Sequence, residues 1–473
     1  MLPVLGSQYR SQDYFIYSPC LFWTIVVTGA RRYTLDPTIL ETLAPKVSSL
    51  LAISMTRISQ YIPTICALLI LCAWPLPMES ASDDPSPVYA GVVMQLSLQN
   101  GLHMLGKGQD FSESPVVRDT NQGLFRTRLW AWCKVICRCS NLFSGLPPHI
   151  FPDAFESELN HQDIHCPVDP FTDCIQKVES ISSRALTTLM QTKHEEDNVS
   201  GKPGPLHAII RLFDEEILKI KRESQGLLAD IWFNSIRLHL NAFHFFDSKS
   251  TISLARLTTL YHIACNFVEN ITTRDRQDDY ALYLSEQYYR TLSLAATSIL
   301  RIHRSPELSP SIDHLLGERS YFAAIQILKK RSIKNNDLNA RVATILLQLW
   351  QSQTVFRRED GTTDSLTVRI RSRGAMGIVY DCFWYWRREF LGYQDPYSLK
   401  KATLPHEDDE LPTMAPQQDD TAFQGTGVDT AGYRGDALMN HPQDDAFFSE
   451  WNWSADESFF ASLPQSMNSM TYM

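Results

Sequence analysis

The stretch "PLHAIIRLFDEEILKIK", residues 205–221, repeats its apolar residues on a helical period and not a strand period. Leu206, Ile209, Ile210, Phe213, Ile217 and Ile220 return every three or four positions, so at about 3.6 residues per turn they share one face. "IWFNSIRLHLNAFHFF" does the same with Trp232, Ile236, Leu240 and Phe243. The same period predicts helices near residues 37–57, 63–74, 88–104, 122–141, 170–192, 251–270, 279–302, 316–331, 336–353 and 368–391. Alternating apolar and polar runs joined by an Asn-Gly turn, the mark of hairpins, are not found. The fold class expected is therefore all-α: a multi-helical domain of stacked, mostly buried helices. With 473 residues and 44% hydrophobic content, the chain has ample material for such a core.

Charge divides the chain in two. Residues 402–473 hold 13 acids against Arg434 alone, leaving 40 acids and 42 bases in residues 1–401. A near-neutral body with an acidic tail is the pattern of a globular domain carrying an interaction segment. Residues 1–13 are a poorly defined N-terminus, 14–400 the helical domain, and 401–473 a tail too poor in periodic apolar residues to offset chain entropy, hence disordered. Within the domain, the polar, turn-rich stretch 194–205 reads as a surface loop or a seam.

Two stretches imitate membrane spans, "CLFWTIVVTGA" (20–30) and "PTICALLILCAWPLP" (63–77). Each offers at most about a dozen helical residues against the roughly 20 that a bilayer needs, so both read as core helices and no membrane partner is expected. Most of the ten cysteines lie in apolar runs, as buried reduced thiols do.

Several groups invite a chemical reading. Cys133, Cys137 and Cys139 in "CKVICRC" have zinc-like spacing, with His161, His165 and Cys166 as conceivable partners; no second cysteine pair follows, and buried helix cysteines are the expectation. Acids at Asp278 ("DDYAL") and Asn336 ("NDLNARVAT") suggest a terpene-synthase-like helical enzyme with an apolar pocket. Ala340 stands where magnesium would need a hydroxyl ligand and Thr344 where it would need an acid, which argues against it. "KKRSIK" (329–334) reads as a solvated helix end, or else a nuclear import signal. In "RIRSRGAMGIVYDCFWYWRREF" (369–390), Arg369, Arg371 and Arg373 precede an aromatic helix. They are the candidate residues to fork a carboxylate ligand; the alternative is a helix buried on most sides. No catalytic residue, bound cofactor or metal is assigned.

The acidic tail has its own pattern. In "DDAFFSEWNWSADESFF", Phe447, Phe448, Trp451, Trp453, Phe459 and Phe460 sit among acids, and Phe447, Trp451, Ala455, Phe459 and Leu463 recur every four residues. A nascent helix over 444–463 would align an apolar stripe while the acids keep it soluble. That is the logic of an activation segment that folds into a coactivator groove.

Five stretches in order, "SPCLFWTIVVTGARRY", "TICALLILCAWPLP", "YAGVVMQLSLQNGLHMLG", "RTRLWAWCKVICRCSNLFSGLPP" and "RSRGAMGIVYDCFWYWRREF", resemble the regulatory region of fungal zinc-cluster transcription factors. The likeness is greatest to the activator of leucine biosynthesis and its relatives. The resemblance implies an all-helical inhibitory and effector-sensing domain, an acidic activation tail, a nuclear location, and gating by a branched-chain pathway metabolite, a small carboxylate. It also implies zinc, DNA contact and homodimerisation through an N-terminal module that this sequence does not contain: Cys20 and then Cys66 are its first cysteines. A scaffold or decoy that binds a related factor is the remaining alternative.

Overall fold

A computed structural model describes residues 10–396, apart from 34, 58–60, 79, 105–106, 112–119, 148–169, 199–205, 224–225, 248–252, 335, 359 and 395. Contacts divide the chain after Tyr393 into a helical unit and a segment from Gln394 that lies almost wholly outside the described residues. The segment 444–463 is therefore outside them, as are His161, His165 and Cys166.

Fourteen α-helices are described: α1 Ser11–Tyr17, α2 Pro19–Ala30, α3 Thr38–Met55, α4 Tyr61–Ala73, α5 Ser86–Gln99, α6 Thr120–Ser144, α7 Pro170–Asn198, α8 Leu206–Glu223, α9 Leu227–Asn241, α10 Leu254–Asp278, α11 Glu286–His303, α12 His314–Arg331, α13 Leu338–Gln351 and α14 Gly377–Leu391. Among the described residues the only extended pairing is one isolated bridge, Arg357 to Thr363. The all-α expectation holds.

The apolar run of α4 is buried at every position from Pro63 to Ala73. A helix apolar all round needs neighbours all round, and α2, α5 and α6 supply them in one core of residues such as Leu69, Val93, Trp130 and Ile136. No helix among the described residues is long and apolar enough to cross a membrane.

The second centre is α11, which touches α4, α6, α9, α10, α12, α13 and α14. Every residue from Thr291 to Ile302 is buried. Ala295, Ala296, Ser293 and Ser298 keep its flanks narrow, which lets neighbouring helices approach. Three of its buried hydroxyls bond within the helix: Thr291, Ser293 and Thr297 donate to the carbonyls of Gln287, Tyr289 and Ser293 at 2.8, 3.2 and 2.9 Å.

Three of the boundaries that differ from the sequence reading show why. The helix expected over 368–391 starts only at Gly377, since the lead-in turns through Gly374 at φ +49°. The helix expected over 279–302 starts at Glu286, because Asp279 adopts φ 53° and closes α10. The backbone of α7 stays helical to Asn198, so the polar stretch 194–205 begins inside a helix.

Close packing at α12 yields a test. A Cβ at Gly317 would lie 1.8 Å from the hydroxyl of Tyr261, which donates at 2.7 Å to the carbonyl of Asp313, the N-cap of α12. Gly317→Ala should destabilise the fold by about 1–3 kcal/mol through overpacking, despite the better helix propensity of Ala. Urea unfolding checks this, and a gain in stability would contradict the packing described.

Candidate functional site

Arg369, Arg371 and Arg373 do not converge. Arg369 Nε donates to Asp381 Oδ1 at 2.6 Å, and its guanidinium lies 3.9 Å from the Tyr385 ring centre. Arg371 donates to the carbonyl of Phe246. Arg373 donates to the carbonyl of Ser144 at 3.2 Å and sits over Tyr380. The carboxylate met by Arg369 is the chain's own. Asp381, fully buried, also accepts from Arg301 of α11, equally buried. Arg301 further donates to the carbonyls of Ser365 and Thr367 at 2.9 and 3.1 Å and stacks 4.7 Å from the Phe356 ring centre. This is a clasp between α11 and α14. The aromatic helix is buried on most sides, with Trp384 and Trp386 inside.

A different set of arginines meets where α2 and α12 end and α11 and α13 begin. Glu286, the first residue of α11, bridges Arg331 at 2.9 Å and Arg290 at 3.1 Å. Arg290 also pairs with Asp84. Arg331, the last residue of α12, donates to the carbonyl of Leu284 at 3.1 Å and to Asn339 Oδ1. Arg32 donates to the carbonyls of Leu282 and Arg331, both at 2.8 Å. Arg31, which ends α2, donates to the carbonyl of Pro75. Asp337 caps α13, accepting from the Ala340 amide at 3.0 Å. Arg31, Glu286, Arg331, Asp337 and Asn339 of this set line a cavity of about 20 Å³ together with Leu76 and Tyr289.

The electrostatics of the junction are strained. Burial pushes the Glu286 carboxyl up, but Arg331 and Arg290 outweigh it and hold it below its ordinary range. Burial, and then the charge of Arg331, bring Arg31 down to about 9, against the opposing pull of Glu286 and Asp337. None of these residues was singled out as a ligand contact from the sequence. Their one signal there is charge inside apolar helical stretches, as at Glu286 and Arg290 in a helix whose next twelve positions are buried.

The other sequence candidates have structural employment. Ser97 Oγ donates to Cys133 Sγ at 3.4 Å, Cys137 donates to the carbonyl of Ala90 at 3.3 Å, and Cys139 to Glu179 Oε1 at 3.7 Å. Burial pushes Cys133 up to about 12. Among the described residues no three His, Cys, Asp or Glu side chains are placed to hold a metal. In "KKRSIK", Lys330 bonds Asp275 and Asp279 and Lys334 pairs with Glu41, with Lys329 and Lys334 exposed as expected of a solvated helix end, whereas Arg331 is buried on Glu286. Asp278 pairs with Arg274.

No protein-family model matches the chain, and no solved structure matches it. Over 402 residues it is 23% identical to the Transcriptional regulatory protein SEF1 of Candida albicans, covering 81% of this chain and 42% of that protein. It is 22% identical to the Putative transcription factor SEF1 of Eremothecium gossypii, over 78% of this chain and 35% of that protein. It is 20% identical to the Regulatory protein LEU3 of Saccharomyces cerevisiae, over 81% of this chain and 49% of that protein. The chain is thus similar, over about four fifths of its length, to named fungal transcription regulators. It spans about a third to a half of the length of these curated relatives.

Proposed function

We propose that the chain is the regulatory and activating part of a fungal transcription factor, acting in the nucleus on RNA polymerase II transcription and not as an enzyme. The observation that carries this reading is the similarity to three named regulators over about four fifths of the chain. In the same reading the helical unit senses a small carboxylate effector, DNA binding, zinc and homodimerisation belong to a separate N-terminal module, and the tail recruits a coactivator. The clasped positions of Arg369, Arg371 and Arg373 support a structural role for them, so the effector is sought elsewhere.

The tail supplies the test. Residues 444–463 fused to an unrelated DNA-binding domain should activate a reporter. Each aromatic entering a groove removes on the order of 100 Å² from water, roughly 2.5 kcal/mol at about 25 cal/mol per Å², and ordering of the segment takes back much of it. Changing Phe447, Trp451 and Phe459 together to Ala should therefore abolish activation. Changing Glu450, Asp456 and Glu457 to neutral amides should only weaken it, since exposed charges are screened. A silent parent fusion would remove the activation reading, and an unimpaired aromatic triple variant would remove groove burial as its cause.

A further inference from the structure

A second cavity, also of about 20 Å³, lies where α4, α6 and α11 meet the first turn of α5. Cys72 of α4, Ser86 of α5, Ser140 and Ser144 of α6, and Gln287 and Arg290 of α11 line it. The site is polar but balanced in charge, because Arg290 meets Glu286 at 3.1 Å and also pairs with Asp84. A ligand that suits it is therefore neutral.

Two hydroxyls on the cavity wall are left over. Ser86 is 4% exposed, and its Oγ has no hydrogen-bond partner among the described residues; neither has the buried Oγ of Ser140. The backbone of Ser86 is engaged on both sides. Its amide donates to Asp84 Oδ1 at 2.9 Å and its carbonyl accepts from the Cys72 thiol at 3.6 Å, so the residue is held while its hydroxyl is not. Ser140 differs from Ser293 and Thr297 of α11, whose hydroxyls donate back one helical turn. A buried hydroxyl without a partner is costly, so each of the two calls for one. Ser144 lines the same cavity and accepts from Arg290 at 2.8 Å, and a hydroxyl that accepts can still donate.

We propose that this cavity binds one resident water, which bridges Ser86 Oγ and Ser140 Oγ and accepts from Ser144 Oγ. The volume admits about one water and nothing organic, and about three polar partners are what a buried water usually has. Water both donates and accepts, as hydroxyls with no charge to neutralise require. It joins the start of α5 to α6 beside the ion pairs of Arg290, and so links the core around α4 to the helices around α11. The binding does not rest on the regulatory reading of the chain.

The test is urea unfolding of the full chain with Ser86→Ala, Ser140→Ala, both together, and Ser140→Thr. If one water bridges the two hydroxyls, each single Ala variant should raise the unfolding equilibrium constant about fivefold, the net contribution of one hydrogen bond. The double variant should fall well short of the product of the singles, because both act through the same water. Ser140→Thr should also lose stability, since its added methyl takes the water's place. A dry cavity gives the opposite pattern. Removing an unpartnered hydroxyl then leaves stability unchanged or raises it, and the methyl of Thr fills a void and stabilises. The proposal is overturned if either Ala variant is as stable as the parent, if the two Ala effects multiply, or if Ser140→Thr is the more stable protein.

Discussion

Asp381→Ala should cost the fold about 3–5 kcal/mol, the amount lost when one partner of a buried ion pair is removed. Domains of this kind are stable by about 5–15 kcal/mol in all, so the variant should unfold at much lower urea or accumulate poorly in cells. The physical reason is the position of Arg301. It is fully buried, and its remaining partners are the carbonyls of Ser365 and Thr367, the Cys382 thiol and the rings of Phe356 and Tyr385. None of them carries a charge. Arg369 would also lose the carboxylate it meets at 2.6 Å, at less cost because it is partly exposed. A control separates a lost pair from a lost shape: Arg301→Met with Asp381→Leu should recover much of the stability, since apolar groups of similar volume replace buried ion pairs at little net cost. If Asp381→Ala unfolds at the parent's urea concentration, the clasp between α11 and α14 does not hold the domain together.

That clasp shows what the sequence makes legible and what it hides. The helical period of α8 and the apolar run of α4 are local, so their faces and fold class can be read directly. The alternation of Arg369, Arg371 and Arg373 is local too, and it marks them as unusual. Their acceptors are not local: Arg371 meets a carbonyl 125 positions away and Arg373 one 229 positions away. Carboxylate forking suits Arg369, but the carboxylate is Asp381, 12 positions on, across a turn that Gly374 makes at a backbone angle no helical pattern signals. The junction is less legible still. Arg32 and Arg331 are 299 positions apart, and within the solvated run "KKRSIK" nothing local marks Arg331 as the buried member, because its carboxylate partner, Glu286, lies 45 positions away. Periodicity shows which face of a helix is buried, not what the opposite wall offers.

A second large effect follows from Glu179 on α7. Its side chain is 1% exposed, faces Arg138 and Cys139 of α6, and accepts from the Cys139 thiol at 3.7 Å. Burial raises its carboxyl to about 7, with Arg138 and the thiol only partly opposing. Below about pH 4.5 the carboxyl is protonated in both folded and unfolded chains. Between about 4.5 and 7 the unfolded chain releases the proton and the folded one keeps it, so stability falls as pH rises through this window. At about 1.4 kcal/mol per unit, the loss is about 3 kcal/mol, complete above the folded value. His239 acts in the opposite direction, because burial lowers it to about 3 and stability is lost as pH falls from about 6.5 toward that value. Comparing the parent with Glu179→Gln cancels that contribution. The neutral amide keeps the shape and an acceptor for Cys139, so the two proteins should be nearly equal at pH 5, and the variant should be more stable by up to about 3 kcal/mol at pH 8. Urea unfolding at pH 5, 6, 7 and 8 measures the difference. Parallel stability curves would mean that Glu179 ionises in the folded protein as readily as in the unfolded one, with Arg138 compensating fully for its burial between α6 and α7.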